Sequence, residues 1–273
     1  MKRIDFRWPE AKAGVLTTSW DDGTTHDRRL VEIFNKYGIK GTFNLNSGKF
    51  GLDSSQSGWE AHISKDEVPT LYAGHEVAVH TVTHPWLQRQ SSDMILGEVI
   101  EDRRNLENIV GYPVKGMALP FGSQDARVST ILKAAGIKYV RPTAVSNSLF
   151  ELPGDFMNWT VTCHHNADLK LLWKEFCEYQ RTGDKIFYLW GHSYEFNRDG
   201  NWEHIEEFCE LASQSKDIWF ATNMEVFEYV NAWRQLECSV DGGILKNTSS
   251  IAIYFSHAGK TMCVSPGETL KLH

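Results

Sequence analysis

VLTTSWDDG, residues 15–23, decides the reading of the fold. Its first six residues carry no charge and mix β-branched with large apolar side chains, the composition of a strand buried on both faces. The stretch then ends on two adjacent carboxylates and a glycine. Strands covered on both faces belong to parallel sheets flanked by helices, and ligands collect at the C-terminal ends of such strands. Asp21 and Asp22 therefore mark one end of a sheet as the place to look for chemistry, although DDG alone would also be explained as a turn.

Outward from this strand the pattern alternates. A helix from about 26 to 37 stops at Gly38, and GTFNLN (41–46) reads as the next strand. Ser64 with Glu67 three residues on forms a capping box for a short helix before the strand HEVAVH (75–80). A long helix opened by Ser91 or Ser92 runs to Val110, with Ile95, Val99, Leu106 and Ile109 on one face. VKGMAL (114–119), a helix over 125–135, KYVR (138–141), a helix over 168–181 and KIFYLW (185–190) follow. Two further helices, about 202–213 and 223–236, flank DIWF. This order predicts an α/β protein whose parallel sheet is covered by helices or rolled into a barrel. Residues 239–273 hold only short β-like runs between HAG and PG turns. They divide the chain into a barrel over 1–238 and a small β-rich extension over 239–273, which either packs on the barrel or serves as a dimer contact.

Composition narrows the function. The 273 residues are 41% apolar and 23% charged, an ordinary globular balance, and the net charge of −7 with no basic stripe argues against nucleic acid. The 10 Trp suit flat apolar ligands such as sugar rings, or simply fill the core. No apolar run is long enough for a membrane span, and the first residues lack a signal-peptide pattern, which predicts a cytoplasmic protein. Five widely spaced Cys fit reduced thiols better than a disulfide framework.

Two more motifs end predicted strands. HTVTH (80–84) places His at i and i+4, which on one helical turn puts two imidazoles on the same side, as one metal ion requires. In FYLWGHSYEF (187–196) His192 lies just beyond an apolar strand, a position that by itself reads as structural. In a closed barrel SWDDG, HTVTH and WGH would all face one mouth.

With these motifs in this order, the chain resembles the polysaccharide (NodB-like) deacetylases, also classed as carbohydrate esterase family 4, over roughly residues 13–225. The family's TFDDG appears as SWDDG, its H(S/T)xxH as HTVTH, its Pro-(Tyr/Phe)-Gly as Pro120, Phe121 and Gly122, and its late Leu-x-x-His as Leu189 to His192. The resemblance implies a distorted (β/α)7 barrel, here with a small C-terminal β appendage. It makes Asp21 the general base, and Asp22, His80 and His84 the ligands of a divalent metal. Zinc is the first choice from this donor set, with cobalt, nickel, iron and manganese tolerated. It makes His192 the general acid and places Pro120 and the backbone N–H of Phe121 at the oxyanion. The implied reaction removes acetyl groups from N- or O-acetylated carbohydrate, and Trp86, Tyr188, Trp190 and Tyr194 are the aromatics near the motifs that would stack on sugar faces.

The sequence also departs from the family. Ala118 stands where an arginine usually precedes the Pro by two residues, and the later Asp-Trp pair is missing, its nearest counterpart being Asn158 and Trp159. Arg141, ending the next strand, is the candidate to take over from the absent arginine and orient the base. TCHH (162–165) occupies the stretch of the missing pair, so His164 or His165 either contacts substrate or packs structurally. Two rivals remain at this level: an amidase acting in the cytoplasm on a small non-sugar amide or cyclic ureide, and a glycan-binding relative without catalysis.

Overall fold

The structure, a computed structural model, describes residues 4–146, 150–179 and 183–272. It begins with β1 (Ile4–Arg7) and β2 (Gly14–Asp21), followed by α1 (Asp27–Tyr37) and β3 (Thr42–Leu45). Two short helices, α2 (Ser54–Ser57) and α3 (Val68–Leu71), lead to β4 (Glu76–Val79), α4 (Ser92–Val110), β5 (Gly116–Ala118), α5 (Ala126–Ala134) and β6 (Tyr139–Arg141). Then come β7 (Cys163–His164), α6 (Leu169–Glu178), β8 (Lys185–Gly191), α7 (Ser193–Asp199), α8 (Trp202–Ser213), β9 (Ile218–Phe220) and α9 (Asn223–Arg234). The chain ends in β10 (Glu237–Cys238), β11 (Ile244–Lys246), β12 (Ile253–His257), β13 (Lys260–Val264) and β14 (Thr269–Lys271). The helix expected over 168–181 is observed as α6, and its final two positions lie outside the described residues.

Every residue of β2 is buried, as its composition predicts for a central parallel strand. The large sheet runs β6-β5-β4-β3-β2-β8-β7, all parallel where paired. β9 lies beside Gly14 to Leu16, and β3 pairs further along at Ser19 to Asp21, so β9 fills the place that β3 leaves open at the start of β2. The two ends of the sheet approach each other through loop backbone instead of strands. Trp159 N–H donates to the Val140 carbonyl (2.9 Å), and Ser146 N–H donates to the Val161 carbonyl (3.0 Å) beside a parallel bridge between Val145 and Val161. This irregular seam is what makes the (β/α)7 barrel distorted, and the expected fold class is the one observed.

The helices end where local chemistry stops them. Gly38 and Gly111 close α1 and α4 in the left-handed conformation, and the Ser91 hydroxyl accepts from Met94 N–H to open α4. Ile95, Val99 and Leu106 of α4 are fully buried, as their spacing predicts, and Asp102 is buried on the same face.

The C-terminal strands form two small antiparallel sheets. β12 pairs with both β13 and β1, and β11 pairs with β10 and β14. Their apolar faces pack on the barrel: Leu245, Ile253, Phe255 and Val264 belong to one buried cluster with Phe6, Trp8, Val15, Tyr188 and Tyr229. β1, from the opposite end of the chain, is thus a strand of the C-terminal sheet. Among the described residues, no helix is long and apolar enough to cross a membrane.

Candidate active site

The C-terminal ends of the barrel strands surround a cavity of about 400 Å³, lined by Asp21, Asp22, His80, His84, Phe121, Trp190 and His192, and also by Lys49, Trp59, Leu119, Thr143 and Tyr194. The three motifs meet at this mouth. Asp21 closes β2, and Asp22 turns away from it with φ +78°, followed by Gly23 at +65°. Left-handed backbone at an Asp is uncommon, and here it sends two sequence-adjacent carboxylates to different partners.

HTVTH departs from the helical turn that its spacing suggested. It is a loop leaving β4, with Thr81 at φ +67° and His84 at +64°, closed by the Thr81 hydroxyl accepting from His84 N–H (3.0 Å). The imidazoles still converge, because the loop folds back on itself: His80 and His84 have ring centroids 4.8 Å apart. Phe121, at φ +58°, brings a fourth non-glycine left-handed residue to these loops, a clustering of backbone strain of the kind found at functional sites.

Asp22, His80 and His84 have donor atoms within 4.8 Å of one another. Asp22 Oδ1 lies 3.6 Å from His80 Nε2 and 3.5 Å from His84 Nε2, yet it is buried without a hydrogen-bond partner. His80 Nδ1 lies 2.8 Å from the Ala118 carbonyl, which can only accept, so Nδ1 carries the proton and the Nε2 lone pair faces Asp22. Burial lowers the pKa of both histidines, that of His84 to about 3, which favours neutral rings. Two neutral imidazoles and a carboxylate with an orphaned oxygen fit a divalent metal ion that keeps coordination positions open.

Asp21 sits deeper. Burial alone would raise its pKa; the charge of buried Arg141 beside it outweighs this and holds it at about 2. Arg141 Nη2 reaches both carboxylate oxygens, Nε donates to the Ser19 hydroxyl (3.1 Å), and the guanidinium lies 4.5 Å over the Trp190 ring. Asn44 Nδ2 adds a third contact to Asp21 at 2.9 Å. In the sheet register Arg141 stands directly beside Ala118. Arg141 therefore reaches Asp21 from the strand adjacent to Ala118, at the same level.

His192 follows β8 and turns Nε2 toward Asp21 (4.0 Å) and Asp22 (3.8 Å). The preceding Gly191 is required there, since a Cβ would stand 2.1 Å from the His165 ring. Burial opposes protonation of His192, but Glu195, Asp21 and Asp22 prevail and raise its pKa. Glu195 Oε2 lies 3.5 Å from His192 Nδ1, 2.6 Å from His165 Nε2 and 3.2 Å from His164 Nε2. Neither His164 nor His165 lines the cavity; both face Glu195 behind His192. Trp190 is almost fully buried and does line it, Pro120 is buried beneath the rim, and half-exposed Phe121 stacks on Trp86 with centroids 4.4 Å apart. Across the mouth Trp59 meets Tyr194 edge-on at 4.4 Å.

Glu195, Asp102 and Asn44 were missed from the sequence. Asp102 accepts from the backbone N–H groups of Ser47 (2.8 Å) and His80 (3.0 Å), tying the loop after β3 to the one after β4. Glu195 alone left a signal: it lies three residues after His192, on the spacing of a helix that the sequence reading did not assign.

Residues 9–140 match the family model described as polysaccharide deacetylase. No curated protein matches the sequence. Among solved structures, a provisionally named polysaccharide deacetylase from Mycobacterium smegmatis superposes with a TM-score of 0.61 at 16% identity, over 86% of this chain and 96% of that one. The Xyl-CE4 domain of a multidomain xylanase from the hindgut metagenome of Trinervitermes trinervoides gives 0.54 at 17% identity, over 81% and 92%. At these identities the likeness is one of fold.

Proposed function

We propose, from the premise that this chain belongs to the polysaccharide deacetylase family matched over residues 9–140, that it hydrolyses acetyl groups from N- or O-acetylated carbohydrate with a divalent metal held by Asp22, His80 and His84. The observation that carries this reading is Asp22 Oδ1, buried without a partner between two neutral imidazoles. Zinc suits the donors best. When bound, the ion supplies Lewis acidity toward the acetyl carbonyl and toward water.

The protein's own groups supply the proton transfers. Asp21 stays ionised beside Arg141 and takes the proton of the attacking water; Arg141 and Asn44 fix its orientation and leave it no freedom to swing toward the ligand set. By family resemblance the backbone N–H of Phe121 is the group that would stabilise the negative charge developing on the carbonyl oxygen. His192, whose protonated form its carboxylate neighbours favour, delivers a proton to the departing amine or alkoxide. Water and the acetylated sugar become acetate and a free amino or hydroxyl group. The aromatic pairs Trp86–Phe121 and Trp59–Tyr194 at the two sides of the mouth offer faces for sugar rings.

The test is acetate release from acetylated mono- and oligosaccharides and from small amides, using chelator-stripped protein with zinc or cobalt added back. The reading expects metal-dependent release from the saccharides. Preference for the small amides would move the substrate class to a non-sugar amide, and no hydrolysis by fully loaded protein would reduce the chain to a glycan-binding relative.

A further inference from the structure

We propose that His164, His192 and Glu195 form a second divalent-cation site, weaker than the first, whose occupation switches off the proton donor. The three side chains present donor atoms within 4.8 Å of one another, two imidazole nitrogens and a carboxylate oxygen. Adjacent parallel strands fix two of them. His164 ends β7, in register with Trp190 of β8, and His192 follows β8 two residues later. Glu195 stands on the first turn of α7. Its Oε2 is already engaged by His165 Nε2 at 2.6 Å, which holds the carboxylate facing the other two rings. His164 Nε2 and His192 Nδ1 remain 3.2 and 3.5 Å from that oxygen, and His192 Nδ1 is buried with no hydrogen-bond partner. An ion on this side satisfies that orphaned nitrogen and keeps a fourth position open toward solvent, which reaches the His164 edge (23% exposed).

The donor set has one negative charge, like the Asp22 set, and a borderline metal such as zinc or cobalt matches it. It has two imidazoles but lacks the orphaned carboxylate oxygen found at Asp22, so it fills second. Its consequence rests on the deacetylase reading. His192 points Nε2 at the reaction mouth and Nδ1 at Glu195. A cation bound to Nδ1 uses the lone pair that an imidazolium must protonate, so the ring can no longer carry the second proton that it delivers to the leaving group.

Zinc is titrated into chelator-stripped protein and bound metal counted by equilibrium dialysis, with acetate release followed in parallel. The wild-type chain should bind two ions, the second at least 10-fold more weakly, with activity rising on the first and falling on the second. His164→Ala, or His164→Asn should the alanine variant fold poorly, should bind one ion and lose the inhibition by excess zinc. Asp22→Asn should lose the tight ion and keep the weak one, which separates failure of the first site from failure of the second. A single ion at saturation in the wild type, or two ions retained in His164→Ala, would overturn the proposal.

Discussion

At Asp21 a carboxylate is buried among three other titrating groups, and Arg141 decides its state. A lone buried Asp would take up a proton; the guanidinium, itself fully buried, keeps it ionised and leaves its oxygens as acceptors. Asp21→Asn preserves shape and hydrogen bonds but cannot accept a proton, so acetate release should fall by on the order of 10²–10⁴-fold. Metal content should stay near wild type; strong residual turnover would move the base to another group. Arg141→Met should lower kcat/KM by roughly 10–100-fold with metal loading retained, and Arg141→Lys should recover only part, since an ammonium lacks the planar fork that reaches Asp21 and Ser19 together. Equal activity of the Met variant would make the contact a purely structural ion pair. Arg141 was legible from the sequence because it ends the strand after the one that lacks the family's arginine. Asp102 was not, because a charged residue on the apolar stripe of α4 has no meaning until the two loops it ties are seen above it.

Among the elements, those with an apolar run between clear breaks announced themselves, even short β3, β5 and β6, and others did not. β2, α4 and β8 carry enough apolar residues for their period to be read. β7 is two residues long and β1 four, with its partner at the far end of the chain. The geometry of HTVTH was misjudged: its two histidines, four apart, converge across a loop held by left-handed residues and not on a helical turn. The opposite end of β4 carries a different signal. Glu76 is buried with Thr42 Oγ1 (2.9 Å), Tyr139 OH (2.7 Å) and Met224 N–H (2.8 Å) donating to it, and burial raises its pKa from 4.5 to about 7. The folded state therefore holds this proton when the unfolded chain has released it. The stabilisation is complete below about pH 4.5 and is lost as pH rises toward 7, on the order of 3 kcal/mol in all. Partly buried His75, whose pKa desolvation lowers to about 4, acts in the opposite direction below its unfolded pKa, so the difference between two proteins is the proper readout. Relative to wild type, Glu76→Gln should be more destabilised at pH 5 than at pH 8. Denaturant midpoints at both pH values for both proteins would show it, and a pH-independent difference would mean that Glu76 is ionised throughout.

In the whole molecule, the barrel and the C-terminal sheets share a core, with Phe6 of β1 directly opposite Phe255 of β12. Phe255→Ala should cost about 3–5 kcal/mol and lower Tm by roughly 10 °C. Zinc binding at the distant mouth should be unaffected, which calorimetry and metal analysis would check. An unchanged Tm would make residues 239–272 a loosely attached appendage. The same pairing bears on how the chain is made. Ile4 and His257 are register partners, so β1 finds its neighbour only after some 250 further residues are added. At about 5–20 residues per second that is a wait of roughly 13–50 s. Through this interval β1 has an open edge and the cluster around Trp8 lacks its C-terminal cover, so the unfinished barrel is open to joining its neighbours on the same message for as long as synthesis takes.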